Sequence, residues 1–229
     1  MAAQRRHRLE GVIMDAEATR WEAEIEQYDA SHLRLRQVAM ILKQIAPESV
    51  FDIGCGHGYL GTLLEDIKYK GCDIIDGTDA PFPFVRCNVN QDVLPEEIGN
   101  ADAVSCSGLL EYVDDLPQFL RQLRGRMQAQ AWLVVTYYNM NHLLRIFGLA
   151  LGRSFGVHRG WRGFYSIRAL GNILASSGFK VEKKYVTRYG VERDHPLSDT
   201  VAERLRLHRY IPGGYLLAHQ VIYVARASE

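Results

Sequence analysis

Residues 50–60 read Val-Phe-Asp-Ile-Gly-Cys-Gly-His-Gly-Tyr-Leu. The apolar run Ser49–Ile53 predicts a buried strand, and three glycines at alternate positions then predict a tight turn. Glycine suits such a turn because it reaches backbone angles closed to other residues and lets a ligand lie on the peptide groups. The predicted helix that follows, about Tyr59–Ile67, points its unpaired N–H groups at the turn. We therefore expect a polar or anionic ligand there.

Two glycine registers fit this stretch, and they imply different ligands. Residues 56–61 match GxGxxG, and Asp76 follows about 20 residues on, as in a dinucleotide-binding unit. The other register places Asp52 two residues before a GxGxG turn and Asp73 at the end of a second strand, Tyr69–Ile74. A carboxylate at the mouth of the first strand would repel a pyrophosphate but would suit an ammonium group. The charge therefore favours the second register.

In the second register the sequence resembles the class I S-adenosylmethionine-dependent methyltransferases of the small-molecule type. The resemblance covers residues from about Ser49 to Ala227 and implies S-adenosyl-L-methionine as the cofactor. It implies an α/β fold: a single Rossmann-like domain with a seven-stranded, mostly parallel sheet, an antiparallel last strand and helices on both faces. Asp52 would face the ammonium of the cofactor's methionine end, and Asp73 would accept from its ribose hydroxyls.

The third and fourth strands bring the remaining cofactor candidates. Phe84–Val89 predicts the third strand, and the family usually has an acid at or just after it, near the adenine amine. Here the match is Asn88, with Asp92 further out, and an amide oxygen can still accept from that amine. After the fourth strand, Ala101–Cys106, the chain resembles the family's next segment, with Tyr112 where many members carry histidine. The predicted cofactor residues are Asp52, Gly54, Cys55, Gly56, Gly58, Asp73, Ile74, Asn88, Val89 and Ser107.

Length and composition narrow the class of protein. The 229 residues fit one domain, and 27 Lys and Arg balance 27 Asp and Glu, so the net charge gives no support to a nucleic-acid partner. No stretch approaches the roughly 18 apolar residues of a membrane span, and no apolar core follows the basic amino end. We therefore expect a soluble cytoplasmic protein.

The four cysteines are too far apart for a CxxC metal site, so we expect reduced thiols near the strand ends and no metal.

The whole chain, residues 1–229, is predicted to form one methyltransferase domain. Its parts are a helical cap (1–46), a cofactor-binding half (47–138), a lid insertion (139–165) and a C-terminal half (166–229) with a second insertion (190–218). The helical cap has one helix over Asp15–Tyr28 and a second helix that ends at about Ile45. Asp29 or Ser31 is predicted as the N-cap residue of this second helix. Arg34 of this second helix could reach the ligand, although the pattern favours a packing or solvated role. Further elements are predicted at Asp115–Met127 (helix), Ala131–Tyr137 (strand), from Ser166 (helix), Lys180–Thr187 (strand) and His219–Ala225 (strand).

The lid insertion mixes a hydrophobic run with positive charge. Residues 143–151 are apolar apart from Arg145 and Gly148, and Arg153, Arg159 and Arg162 follow. Such a segment is typical of a substrate lid for a lipophilic or anionic small molecule, or of peripheral membrane contact through residues 143–164. A hydrophobic lid that packs on its own domain is the plainer alternative.

Methyl transfer depends on alignment more than on catalytic groups, because the sulfonium is already activated. An oxygen or nitrogen acceptor still loses a proton, and His142 at the start of the lid is the first candidate base, followed by Tyr138. The Asp/Asn-Pro-Pro-Tyr signature of many amino-group methyltransferases is absent after the fourth strand. Its absence favours an oxygen acceptor on a small molecule.

Two other functions remain open from the sequence. An NAD-type oxidoreductase follows from the alternative glycine register, but no Tyr-xxx-Lys pair accompanies it. A non-catalytic member of the same fold, which binds the cofactor or a partner, is the third hypothesis.

Overall fold

A computed structural model of the chain describes residues 32–75, 81–139, 142–152, 160–188, 197–198 and 218–228. The strands are β1 (Ser49–Ile53), β2 (Lys68–Asp73), β3 (Phe84–Arg86), β4 (Ala103–Cys106), β5 (Trp132–Tyr138), β6 (Phe179–Arg188), β7 (Leu197–Ser198) and β8 (Ala218–Ala227). The α-helices are α1 (Leu33–Ile45), α2 (Tyr59–Thr62), α3 (Leu116–Arg126), α4 (Leu143–Ala150) and α5 (Ile167–Ser176). Short 3-10 helices span Glu96–Asn100 and Leu110–Tyr112.

The strands form one sheet in the order β3-β2-β1-β4-β5-β8-β6-β7. The first five strands pair in parallel, and β8 lies antiparallel between β5 and β6. This confirms the predicted mostly parallel sheet with an antiparallel last strand. The two-residue β7 pairs with β6 at the edge and adds an eighth strand. It lies inside the predicted second insertion, most of which falls outside the described residues.

Alternate residues of the central strands pack against helices on opposite faces of the sheet. Val50 belongs to a core that includes Leu42 of α1 and Leu60 of α2. Phe51, its neighbour in β1, belongs to the other core, together with Leu120 of α3 and Leu170 of α5. Because both faces are buried, the strands are nearly continuous apolar runs, and the predicted helices on both faces are confirmed.

Two elements end earlier than predicted, each because a local turn intervenes. The helix α2 stops at Thr62 instead of reaching Ile67, since the N–H groups of Leu64 and Ile67 bond to carbonyls three residues back. The strand β3 stops at Arg86, because the backbone N–H of Asn88 donates to Asp92 Oδ2 at 2.7 Å and closes a turn.

Helix caps explain where three helices begin. The side chain of His32 caps α1 by accepting from the N–H of Arg34 at 3.3 Å, so the predicted caps Asp29 and Ser31 are wrong. Those two residues and the helix predicted over Asp15–Tyr28 lie outside the described residues. Asp115 caps α3 and Ser166 caps α5, both as expected from their side chains.

The lid insertion contains two described pieces with different surroundings. Its first piece is the helix α4, and its second, residues 160–165, has no regular secondary structure. Within the second piece, Trp161 and Gly163 are buried. Residues 153–159 between them lie outside the described residues. The substrate-lid role predicted for this segment stays a prediction.

Candidate functional site

A cleft opens at the carboxyl ends of β1, β2, β4 and β5, where an open α/β sheet places its ligands. It encloses about 1140 Å³ of empty space, including its open mouth. Nine of the ten predicted cofactor residues line it: Asp52, Gly54, Cys55, Gly56, Asp73, Ile74, Asn88, Val89 and Ser107. The parallel pairing explains this convergence, because the ends of neighbouring parallel strands meet at one edge.

The glycine turn has the left-handed backbone that its sequence predicts. Gly54, Gly56 and Gly58 have φ values of 75°, 54° and 74°, which other residues rarely adopt. The tenth candidate, Gly58, does not line the cleft. A Cβ at Gly58 would lie 1.9 Å from the ring of Phe82, so this glycine allows Phe82 to pack against the turn.

Asp73 holds the glycine turn against the end of β2. Its Oδ2 accepts from the N–H of Gly56 at 2.8 Å, and its Oδ1 accepts from the N–H groups of Ile74 and Ile75 at 2.7 and 3.3 Å. Burial raises the pKa of this carboxyl above its usual value, and the backbone hydrogen bonds oppose that rise. The rival acid, Asp76, lies outside the described residues.

Asp52 is a second buried carboxyl on the cleft. Tyr69 donates its hydroxyl to Asp52 Oδ2 at 2.7 Å, while Asp52 Oδ1 has no hydrogen-bond partner among the described residues. Burial raises the pKa of Asp52 to about 7, against the lowering effect of the Tyr69 hydrogen bond and of the Arg34 charge. A positively charged ligand group beside Asp52 would restore its ionised form.

Asn88 presents a donor to the cleft. Its Oδ1 accepts from the N–H of Asn90 at 3.1 Å, so the amide orientation is set by the backbone. Its Nδ2 is buried and has no partner among the described residues. The sequence predicts that the oxygen accepts from the adenine amine, whereas the group without a partner is the amide NH₂. Asp92 is turned towards the backbone of Asn88.

Arg34 lines the cleft, although the sequence pattern favours a packing or solvated role. Its guanidinium lies over Gly108, since a Cβ built there would come within 2.5 Å of Arg34 Nη1. Gly108 has a φ of 77° and its N–H donates to Thr136 Oγ1 at 2.8 Å. Arg34 and Asp52 therefore place opposite charges on one cleft.

A further wall of the cleft lies at the ends of β4 and β5. Tyr112 and Tyr138 both line it. The backbone N–H of Tyr138 donates to Glu111 Oε1 at 2.7 Å, and the carbonyl of buried Glu111 accepts from the N–H of Arg162 at 2.8 Å. The ring of Tyr138 lies 5.3 Å from that of Trp161. Glu111 thus joins three segments, a role that no motif signals.

His142, the first candidate base, is buried and does not line the cleft. Its backbone N–H donates to the carbonyl of Asn139 at 3.2 Å. Of the two predicted catalytic residues, the structure therefore brings only Tyr138 to the cleft wall.

The four cysteines are free thiols near the strand ends. Cys55 and Cys87 line the cleft, whereas Cys72 and Cys106 lie in the core. A hydrogen bond between Cys72 and Cys87 lowers the pKa of Cys87 and raises that of Cys72. In the described ranges, no cluster of three His, Cys, Asp or Glu side chains is arranged to hold a metal ion.

The cleft fits the cofactor that the resemblance implies. Asp52 Oδ1, Asn88 Nδ2 and Ser107 Oγ are buried without a hydrogen-bond partner among the described residues, and such atoms cost about 1–3 kcal/mol each. S-adenosyl-L-methionine carries an ammonium for a carboxylate, ring nitrogens for an amide donor and hydroxyls for carboxylates. A ligand of this composition would satisfy what the protein leaves unsatisfied.

The model of the family described as a methyltransferase domain matches residues 21–184, which is more than two thirds of the chain. The protein therefore belongs to this methyltransferase family, as a class I S-adenosylmethionine-dependent member. The match confirms S-adenosyl-L-methionine as the predicted cofactor and favours the register of Asp52 and Asp73 over the dinucleotide register.

Individual proteins that are similar in sequence or in fold are described as methyltransferases. A ubiquinone biosynthesis O-methyltransferase of Chromobacterium violaceum is 28% identical over 45% of this chain and 51% of its own length. The chain thus spans about half the length of that curated relative. A possible histamine N-methyltransferase of Thermotoga maritima is 17% identical with a TM-score of 0.63, over 93% of this chain and 96% of its own. A 1,6-didemethyltoxoflavin-N1-methyltransferase of Burkholderia thailandensis is 13% identical with a TM-score of 0.62. That comparison covers 97% of this chain and 90% of the other.

None of the helices in the described part of the chain has the length and apolar character needed to span a bilayer.

Proposed function

We propose that this protein transfers the methyl group of S-adenosyl-L-methionine to an oxygen atom of a small-molecule acceptor. The observation that carries the proposal is the pair of buried carboxyls, Asp52 and Asp73, on either side of a glycine turn that lines the cleft. The similarity to a ubiquinone biosynthesis O-methyltransferase supports oxygen as the accepting atom.

The methionine end of the cofactor is proposed to lie between Asp52 and Arg34. The unpartnered Oδ1 of Asp52 suits an ammonium, and the guanidinium of Arg34 over Gly108 suits a carboxylate. These two charges together suit a zwitterion. A pyrophosphate has no positive group to face Asp52.

The adenosine end is proposed to lie along the ends of β2 and β3. Asp73 Oδ2 accepts one backbone hydrogen bond, and an ionised carboxylate oxygen accepts more than one, so it can also take ribose hydroxyls. Asn88 Nδ2 is proposed to donate to an adenine ring nitrogen, which refines the predicted contact through the amide oxygen.

The acceptor is proposed to lie beside Tyr112 and Tyr138. The bound cofactor supplies an activated methyl group, so the protein's main task is to align the acceptor oxygen and exclude water. The acceptor proton would pass to Tyr138, acting as a phenolate, or to the neutral imidazole of His142. Tyr138 lines the cleft and His142 does not, which supports Tyr138 as the residue that touches the acceptor.

Calorimetric titration with S-adenosyl-L-methionine, S-adenosylhomocysteine and NAD tests the cofactor part of the proposal. We expect both sulfur ligands to bind and NAD to give no heat; binding of NAD alone would overturn the proposal. A screen of phenols, catechols and amines with methyl-labelled cofactor then tests the acceptor class. Transfer to hydroxyl compounds is expected, and exclusive transfer to amines would contradict the oxygen assignment.

The two candidate bases are separated by conservative variants. Tyr138→Phe keeps the ring and removes the hydroxyl, whereas His142→Gln removes the imidazole from its buried site. We expect Tyr138→Phe to lower kcat and shift its pH profile, with cofactor affinity unchanged. The same shift in His142→Gln but not in Tyr138→Phe would assign the base to His142.

A further inference from the structure

The side chain of Tyr69 holds one oxygen of Asp52. Its hydroxyl donates to Asp52 Oδ2 at 2.7 Å. Asp52 lines the cleft, whereas Tyr69 does not, so Tyr69 can act on a ligand only through the residues that it contacts. Asp52 Oδ1 has no hydrogen-bond partner among the described residues and is the oxygen left for a ligand.

The register of β1 and β2 explains the contact between these two residues. Asp52 pairs with Gly71, and Val50 pairs with Tyr69. Residues two apart in a strand point to the same face of the sheet, so Tyr69 and Asp52 share a face. The position opposite Asp52 has no side chain, because a Cβ at Gly71 would lie 2.7 Å from Cys55 Sγ. The side chain of Tyr69 can therefore cross diagonally to Asp52.

The ring of Tyr69 is held from two directions. A Cβ at Gly61 of α2 would lie 2.7 Å from this ring, so the glycine lets the helix pack directly on it. The ring of Phe82 lies 4.9 Å away and is nearly perpendicular, at 81°. Phe82 in turn occupies the space that a side chain at Gly58 would need. This packing fixes the ring and thereby places its hydroxyl at Asp52.

Titratable and charged groups face Asp52 from several elements. They are Arg34 of α1, Tyr69 and Asp73 of β2, Cys55 of the glycine turn and Cys106 of β4. Burial raises the pKa of Asp52 to about 7, and the hydrogen bond from Tyr69 is the largest effect that opposes this rise. Burial also raises the pKa of Tyr69 well above its usual value. The Tyr69 hydroxyl therefore stays protonated near neutral pH and remains a donor.

We propose that Tyr69 is a positioning residue for the cofactor: its hydroxyl holds Asp52 Oδ2, leaves Oδ1 for the ammonium of S-adenosyl-L-methionine, and favours the ionised carboxylate. This inference rests on the proposed function, because that function places the ammonium beside Asp52. A hydrogen bond to the charged form of an acid favours that form. A tyrosine that served packing alone would change cofactor affinity equally at every pH.

The variant Tyr69→Phe tests this role, because it keeps the ring and removes only the hydroxyl. Calorimetry gives the cofactor affinity of both proteins from pH 6 to pH 9. The ratio of the two affinities is compared, since titration of the ligand itself affects both proteins alike. We expect the pKa of Asp52 to rise by about one unit in the variant, so its loss of affinity should be about eightfold larger at pH 6 than at pH 9. The same loss at both pH values would refute the proposal.

Two further variants separate the hydrogen bond from packing. Tyr223→Phe removes a buried hydroxyl that donates to the carbonyl of Ile167, and neither residue lines the cleft. It should lower the melting temperature and leave cofactor affinity unchanged at both pH values. In an Asp52→Asn background, the loss caused by Tyr69→Phe should no longer depend on pH. A pH-dependent loss in that background would mean that Tyr69 acts through another group, contrary to the proposal.

Carboxyl NMR of the proteins without cofactor distinguishes this inference from the proposed function. The pKa of Asp52 should be about one unit higher in Tyr69→Phe than in the unmodified protein. That shift, without cofactor binding by either protein, would contradict the proposed function and the ammonium contact with it. Cofactor binding with the same Asp52 pKa in both proteins would refute the role of Tyr69 and leave the proposed function in place.

Discussion

On the cofactor wall of the cleft, the contacts run between backbone and carboxylates of neighbouring segments: the N–H of Gly56 reaches Asp73, 17 residues away. On the proposed acceptor wall, beside Tyr112 and Tyr138, contacts join segments that are further apart in the chain. Tyr138 meets Glu111 across 27 residues, and the hydroxyl of Tyr137 donates to the carbonyl of Gly163 across 26. The glycine-turn part of the first wall is a compact motif, whereas the second wall, like the contact of Arg34 with Gly108, is assembled by tertiary packing. Substitutions on the two walls should therefore have separable effects.

Gly56→Val should have the largest effect and should act on the cofactor wall alone. Gly56 has a φ of 54° and lines the cleft, so a branched side chain would be strained and would also occupy ligand space. We expect cofactor affinity to fall to below about one thousandth, measured by calorimetry.

Gly152→Val is the matched control for backbone strain. Gly152 has a φ of 67°, and a Cβ there would have no atom within 4 Å. This variant should keep its cofactor affinity. Normal binding by Gly56→Val would show that the turn is merely structural and would remove the proposed difference between the walls.

Asp73→Ala should weaken cofactor binding by about tenfold to a few hundredfold, since hydrogen bonds to a charged group contribute about 1.5–3 kcal/mol each. It should also lower the melting temperature, because three backbone N–H groups lose their acceptor. Asp102→Ala serves as the control, because Asp102 accepts from the N–H and hydroxyl of Ser49 at the opposite edge of the sheet. That variant should lose stability and keep its affinity; equal affinity losses in both would refute the ribose assignment.

The pH dependence of cofactor affinity should report on Asp52. Its pKa in the free protein is about 7, and an ammonium beside it would lower that pKa, so binding below pH 7 must release a proton. Affinity should fall by up to about tenfold per pH unit below 7 and stay level above it. Asp52→Asn should flatten this profile, and an unchanged profile would place the ammonium elsewhere.

The same residue should affect the stability of the free protein. The pKa of Asp52 in the folded protein, about 7, lies above its usual value of 3.8. Its favourable contribution to the free energy of unfolding is therefore complete below the unfolded pKa and is lost as pH rises through 7. Asp52→Asn should therefore raise the melting temperature more at pH 8 than at pH 5. Equal shifts at both pH values would contradict the raised pKa.

Glu111→Gln should have the smallest effect, and that effect should fall on the acceptor wall. The amide oxygen can still accept from the N–H of Tyr138, but a neutral hydrogen bond is weaker than a charged one. We expect kcat/KM for the acceptor to fall about fivefold, mainly through KM, while cofactor affinity stays the same. Glu96→Gln removes an exposed carboxylate that lies 3.7 Å from Arg126 and should change neither value. A loss of cofactor affinity in Glu111→Gln would mean that the two walls are coupled.

Most of the cofactor wall was predictable from residues 49–74. The apolar strand run, the glycine turn and the two acids follow from short-range rules, and six of the nine predicted residues that line the cleft lie within this stretch. Gly58 does not line the cleft, because its space is filled by Phe82, which comes from a different strand connection. The sequence of the turn does not tell which distant side chain packs against it.

The amino-acid sequence alone determined the positions of the central buried strands and the glycine turn, because hydrophobic periodicity and backbone angle limits act over a few residues, and its resemblance to the methyltransferases implied the cofactor class. Only the tertiary structure decided that Arg34 reaches the cleft, that His142 does not, and that Glu111 joins β5 to residues 160–166. These outcomes depend on how helices and connections pack onto the finished sheet. Packing sums many weak contacts between distant segments, and no local pattern of residues records the result.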